Sequence, residues 1–167
     1  MLSNFHKDLE KGKIAESIVR EVFASLTSDY RFEDVSNDFR YFYMGDIKAV
    51  SAEGKEIFIE VKNDSRIHQT GNILCEDEVY YKQHGYYSNG NMHCKTDIFV
   101  VVSIATNKIY VIDFKVLKNH YREGRFLEID YPQQSSLVYL LPISRVKQLG
   151  GLIAEVDYGE ILLKEVA

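Results

Sequence analysis

The stretch from Gly45 to Asp64, GDIKAVSAEGKEIFIEVKND, constrains the fold more than any other part of the chain. Ile57, Ile59 and Val61 alternate with Glu56, Phe58, Glu60 and Lys62. Strand side chains point to opposite faces with period two, so Glu60 and Lys62 share a face. Ser51-Ala52-Glu53-Gly54 reads as a hairpin connection, with Gly54 available for a positive φ. The chain then returns so that Asp46 stands alongside Glu60. Two carboxylates and an amine converge at one end of a sheet.

Those residue types suit metal-assisted phosphodiester hydrolysis. Mg²⁺ takes oxygen ligands and needs only one or two carboxylates beside substrate phosphate and water. The main-chain carbonyl of Val61 can add a further oxygen. A lysine two residues from a ligand carboxylate can hold the attacking water or stabilise the transition state. The bland alternative is a surface hairpin whose Glu60–Lys62 pair is a weak salt bridge. E-x-K alone is common by chance; Asp46, thirteen intervening residues and then Glu60-x-Lys62, with a turn between, is far more specific.

Gly45-Asp46-Ile47 and Ile59-Glu60-Val61-Lys62 resemble the core of the PD-(D/E)XK nuclease superfamily. The proline of that motif is absent, and Gly45 precedes the aspartate as in resolvase-like members. Gln69-Thr70-Gly71-Asn72-Ile73, followed by Glu76, is similar to a block in small phage- and prophage-type members. The resemblance spans about residues 5 to 115. It implies an α/β fold with a central mixed sheet flanked by helices, in the order αβββαβ. It further implies a Mg²⁺-dependent endo- or exodeoxyribonuclease for which Mn²⁺ substitutes. Asp46 and Glu60 are the expected ligands and Lys62 the catalytic amine. Glu16 on the first helix is either a fourth site member, as in resolvase-like relatives, or a solvated partner of Arg20.

A chain of 167 residues, 46% of them hydrophobic, suffices for one domain with a sizeable core. The expectation is a single domain over 1–167, with a nuclease-like core near 5–115 and a C-terminal extension over 116–167. No apolar run reaches membrane-span length, the first residues lack a signal-peptide centre, and Cys75 and Cys94 are too few for a disulfide framework. A cytoplasmic location is expected, with DNA as partner, no membrane, and a homodimer as an open alternative to a single copy.

The net charge of −5 speaks mildly against nucleic acid. Its distribution is uneven: residues 82–147 hold nine Lys/Arg against five Asp/Glu. Candidate DNA contacts are Thr70 and Asn72 around Gly71, then Lys95, Lys115, Lys118 and Arg122. A tight turn explains Thr70-Gly71-Asn72 equally well.

Residues 5–26 have the spacing of an amphipathic helix, with Ala15, Ile18, Val19, Val22 and Phe23 on one stripe. Strands are expected at 30–36, 39–50, 55–62, 97–104, 108–114, 137–141 and 152–156, with short helices at 115–123 and after Pro142. The tyrosine-rich segment 63–96 reads as loops or an excursion hairpin. The rival function is a catalytically silent nuclease-fold module that binds DNA or a protein partner.

Overall fold

This computed structural model describes residues 4–165. Helix α1 (Asn4–Leu26) opens the chain, followed by β1 (Tyr30–Asp34), β2 (Ile47–Ser51) and β3 (Glu56–Asn63). A short helix α2 (Ile67–Thr70) leads into β4 (Asn72–Tyr81) and β5 (Tyr86–Asn89). Then come β6 (Ile98–Ser103), β7 (Lys108–Asp113), α3 (Phe114–His120), β8 (Arg125–Asp130) and β9 (Gln134–Pro142). The chain closes with α4 (Ile143–Gln148), β10 (Leu152–Asp157) and α5 (Tyr158–Glu165).

The central sheet has the order β1-β2-β3-β6-β7-β10 and is mixed, because β3 and β6 run parallel while its other neighbours are antiparallel. A parallel pair requires a crossover. Here the crossover, residues 64–97, contains α2 and the β4–β5 hairpin. β4 also pairs with β9, and β9 with β8, giving a second sheet of order β5-β4-β9-β8.

Period-two alternation sorts the core onto the two faces of the central sheet. Ile47, Ala49, Ile59, Val61, Val100, Val102, Ile109 and Val111 pack with Ala15, Val19 and Val22 of α1 and Tyr158 of α5. Phe99, Val101, Tyr110 and Ile112 turn the other way. They meet Ile73 and Cys75 of β4, Leu141 of β9, Leu117 of α3 and Val146 of α4. The continuous apolar run of β6 is therefore the signature of a strand buried on both faces. A central mixed sheet flanked by helices is present, and the second sheet adds a layer that the sequence reading lacked.

One strand expectation is corrected. The second strand does not start at 39: residues Phe39–Tyr41 form a 3₁₀ turn capped by Asp38, and β2 begins only at Ile47. Phe39, Phe42 and Tyr43 are exposed, so their apolar spacing reflects surface aromatics and not a buried strand face. Residues after 115 supply β8 and β9 to the second sheet and β10 as an edge of the first. Among the described residues, no helix is long and apolar enough to cross a membrane.

Candidate active site

Gly45 sets the geometry. Its φ is +136°, and a Cβ there would lie 2.7 Å from the Ile59 carbonyl oxygen, so only glycine fits without backbone displacement. That approach lets the Asp46 amide donate to the Ile59 carbonyl at 2.9 Å, while the Asp46 carbonyl accepts from the Val35 amide at 2.9 Å. The Asp46 side chain bends inward as well, its Oδ2 accepting the Val61 amide at 2.9 Å. Asp46 is thus pinned between β1 and β3 with its other carboxylate oxygen uncommitted in that contact. The β2–β3 register, Ile47 against Ile59, continues to place Asp46 opposite Glu60.

Glu60 and Lys62 share a face, as alternation predicts, because Ile59 and Val61 point into the α1 side of the core. Asp46, Glu60 and Lys62 line one cleft of about 260 Å³ together with Glu76, Asn91 and Cys94. Lys62 Nζ stands 3.6 Å from Glu76, so its ion-pair partner is on β4 and not the neighbouring Glu60. Val61 offers its amide to Asp46, and in a strand a residue's carbonyl leaves on the same edge as its amide. The β2–β3 ladder ends at Ile59, so that carbonyl lies beyond the paired region.

The electrostatics follow from crowding two half-buried acids together. Burial raises Asp46 from its ordinary 3.8 to about 6; the Val61 amide opposes this and the Glu16 charge adds to it. Burial, then the Asp46 charge, raises Glu60 to about 8. Burial works to lower the Lys62 ammonium, but Glu76, Glu60 and Asp46 outweigh it and its net shift is upward. Lys62 therefore stays charged while the acids opposite it resist ionisation.

The donor set fits a hard cation, since it offers carboxylate and carbonyl oxygens around an excess of negative charge. Among the described residues, no three acidic, histidine or cysteine side chains cluster closely enough to grip an ion by themselves. A Mg²⁺ ion held by Asp46, Glu60 and the Val61 carbonyl would need water or phosphate to complete its shell, as such ions commonly do.

Glu16 is mostly buried on α1 and bonds Lys13, three residues back, at 3.0 Å, so it is not the solvated partner of Arg20 that one of the two alternatives supposed. Its charge is felt at Asp46 and Glu60. Lys13, which sequence reasoning passed over, partly offsets the charge on Asp46.

The candidate DNA contacts separate into three groups. Thr70 is spent in a turn, its hydroxyl accepting the Asn72 amide at 3.2 Å while Gly71 adopts the left-handed conformation. Neither Thr70 nor Asn72 lines the cleft. Lys95, Lys115 and Lys118 line a neighbouring hollow of about 410 Å³ that shares Cys94 with the cleft. Two acids, Asp97 and Asp113, also line this hollow. Both are committed, Asp97 to the Phe58 amide and Asp113 to the Val116 amide at the start of α3. Arg122 stands apart, paired at 3.3 Å with Asp77, which also bonds His93 and Tyr121.

Two cleft residues carried no readable signal. Asn91, within a segment that reads as a loop, is buried; its Oδ1 accepts the Glu76 amide at 3.0 Å, and its Nδ2 lacks a hydrogen-bond partner among the described residues. Cys94 lies against Glu60, and its thiol is pushed up to about 12 by burial and then by the Glu60 charge.

The raised Glu60 gives a pH prediction for the metal-free protein. A carboxyl whose folded pKa exceeds its ordinary 4.5 adds stability at low pH, which is lost as pH rises through about 8. Glu60→Gln keeps the uncharged form, so in EDTA its stability should vary less between pH 5 and 9. At pH 8.5 it should exceed wild type by about 1–3 kcal/mol. Urea denaturation across that range checks this; a variant less stable than wild type at pH 8.5 contradicts it.

No family model matches the chain, and no curated protein matches it. A solved structure similar to it is that of a bacterial homing endonuclease, with a TM-score of 0.47 and 17% sequence identity, covering 76% of this chain and 75% of that one. A likeness this distant carries no functional argument.

Proposed function

We propose that this protein is a Mg²⁺-dependent deoxyribonuclease of the PD-(D/E)XK type that hydrolyses phosphodiester bonds in DNA. The observation that supports this most is the pair Asp46 and Glu60: facing carboxylates, both raised by burial, Glu60 also by the Asp46 charge and Asp46 by that of Glu16, with Lys62 on the same face as Glu60. Keeping two acids in that position costs stability, and a bound cation is what would offset the cost.

In this reading Asp46, Glu60 and the Val61 carbonyl hold the ion. Mg²⁺, when bound, supplies positive charge against the phosphate and acidifies water. Mn²⁺ substitutes for it. Lys62 does the rest from the protein side: Glu76 keeps its ammonium near 3.6 Å, and its N–H groups donate to the attacking water or to a phosphate oxygen. Glu16 acts from behind, as a negative charge that adds to the pull on any cation, proton or metal, at Asp46. Lys95, Lys115 and Lys118 meet backbone phosphates beside the cleft.

The silent-module reading has one observation in its favour: the charge of Lys62 is already answered by Glu76. The deciding experiment incubates wild type with linear duplex, branched and single-stranded DNA, each with Mg²⁺, Mn²⁺ or EDTA. Cleavage that requires the cation is the expected result. No cleavage of any substrate would shift the assignment to binding alone.

A further inference from the structure

The cleft has aromatic walls. Phe42 and Tyr43 line it from the segment before β2, yet they are 71% and 55% exposed, with their rings in edge contact at 5.0 Å. Half-buried Tyr81 of β4 also enters the lining, its ring 5.3 Å from that of Tyr86 across the hairpin. Rings as exposed as the first two contribute little to the core. Phe42 and Tyr43, exposed at the rim of a polar cleft, suit flat, apolar surfaces that arrive from solution.

The same cleft adjoins a basic hollow. The Lys95 amide donates to the Tyr43 carbonyl at 2.6 Å, and Cys94 lines both depressions, so the aromatic wall and the lysines are fixed to each other. The acids in that hollow are hydrogen-bonded to backbone amides; Lys118 lies over the Phe114 ring with its Nζ 3.4 Å from the Cys94 carbonyl, and Lys115 lines the same hollow. Stacking on these rings needs bases whose faces are free, and a paired stack does not offer them.

We infer that the cleft takes an unpaired DNA strand, a single strand or frayed end, with bases stacked on Phe42, Tyr43 and Tyr81 and phosphates led away by Lys95, Lys115 and Lys118. The inference rests on the deoxyribonuclease reading and names its substrate class. Base–aromatic stacking tolerates any sequence because every base has a π-face, so the preference is for strandedness and not for sequence.

Fluorescence anisotropy in EDTA tests this, using a labelled oligonucleotide as a single strand and the same sequence as a duplex closed by hairpin caps at both ends. Wild type should bind the single strand at least about tenfold more tightly. Phe42→Ala with Tyr43→Ala should weaken single-strand binding roughly ten- to hundredfold, change duplex binding little and leave the melting temperature unchanged. Phe42→Tyr with Tyr43→Phe keeps both rings and should restore wild-type binding. Lys115→Ala with Lys118→Ala should reduce the salt slope by about 0.7 per lost phosphate contact. Equal or tighter duplex binding, or an Ala pair that binds single strands like wild type, would overturn the inference. Duplex cleavage alongside either result would leave the nuclease reading standing. Single-strand binding that depends on the aromatic pair, with no cleavage, would support the inference and remove the nuclease.

Discussion

The Asp46→Asn protein should fold and fail to cleave DNA. The Asn side-chain carbonyl can still accept the Val61 amide that Asp46 Oδ2 accepts at 2.9 Å, so the local backbone has no reason to move. What the substitution removes is a negative charge, and with it one of two carboxylates available to a cation. Removing even an outer-shell partner of a metal ligand costs about 10–100-fold, so loss of a ligand should exceed about 10²-fold. Without metal the variant should match or exceed wild type in stability, because Glu60 no longer faces a second acid. Cleavage near the wild-type rate would remove Asp46 from the site.

Lys62→Ala should separate an enzyme from a binding module. If the ammonium acts in the transition state, its loss lowers the single-turnover rate by about 10²–10³ while DNA and metal affinity change little. If it serves only as the partner of Glu76, 3.6 Å away with 35% of the Lys62 side chain exposed, truncation costs under about 1 kcal/mol of stability and spares activity. A single-turnover assay with Mg²⁺ and saturating enzyme distinguishes the two. Equal rates for the two proteins would exclude Lys62 from catalysis. Glu76→Gln is the companion variant: it keeps the ammonium but loosens it, so an intermediate rate is expected.

The parts of the fold visible in the sequence are those fixed by local periodicity. The α1 stripe, the β2–β3 hairpin and the buried run of β6 each state their environment within a few residues. Asp46, Glu60 and Lys62 were legible for the same reason, since one tight turn and a period of two bring them together. The second sheet was not. β4 pairs with β9, whose residues lie some sixty positions later, and nothing in a strand's own pattern names such a partner. Hence nothing local to Glu76 and Asp77 shows that Glu76 faces Lys62 or that Asp77 collects His93, Tyr121 and Arg122. The basic excess over 82–147 is not one surface patch: Lys108 pairs with Glu155, His120 with Glu123 and Arg122 with Asp77. Only Lys115 and Lys118 share a hollow, joined by Lys95 from another element.

A divalent cation between Asp46 and Glu60 would be detected, without any DNA, by calorimetric titration of Mn²⁺ into the metal-free protein at pH 7. Wild type should take up the ion at one site and release protons, because Glu60 is held protonated up to about 8 and must ionise to become a ligand. The observed heat should therefore change with the ionisation enthalpy of the buffer, and the melting temperature should rise with Mn²⁺ concentration. Asp46→Asn and Glu60→Gln should each lose the binding heat and the rise in melting temperature. Wild-type protein that binds no Mn²⁺, or variants that bind it as wild type does, would rule out a cation site between the two acids.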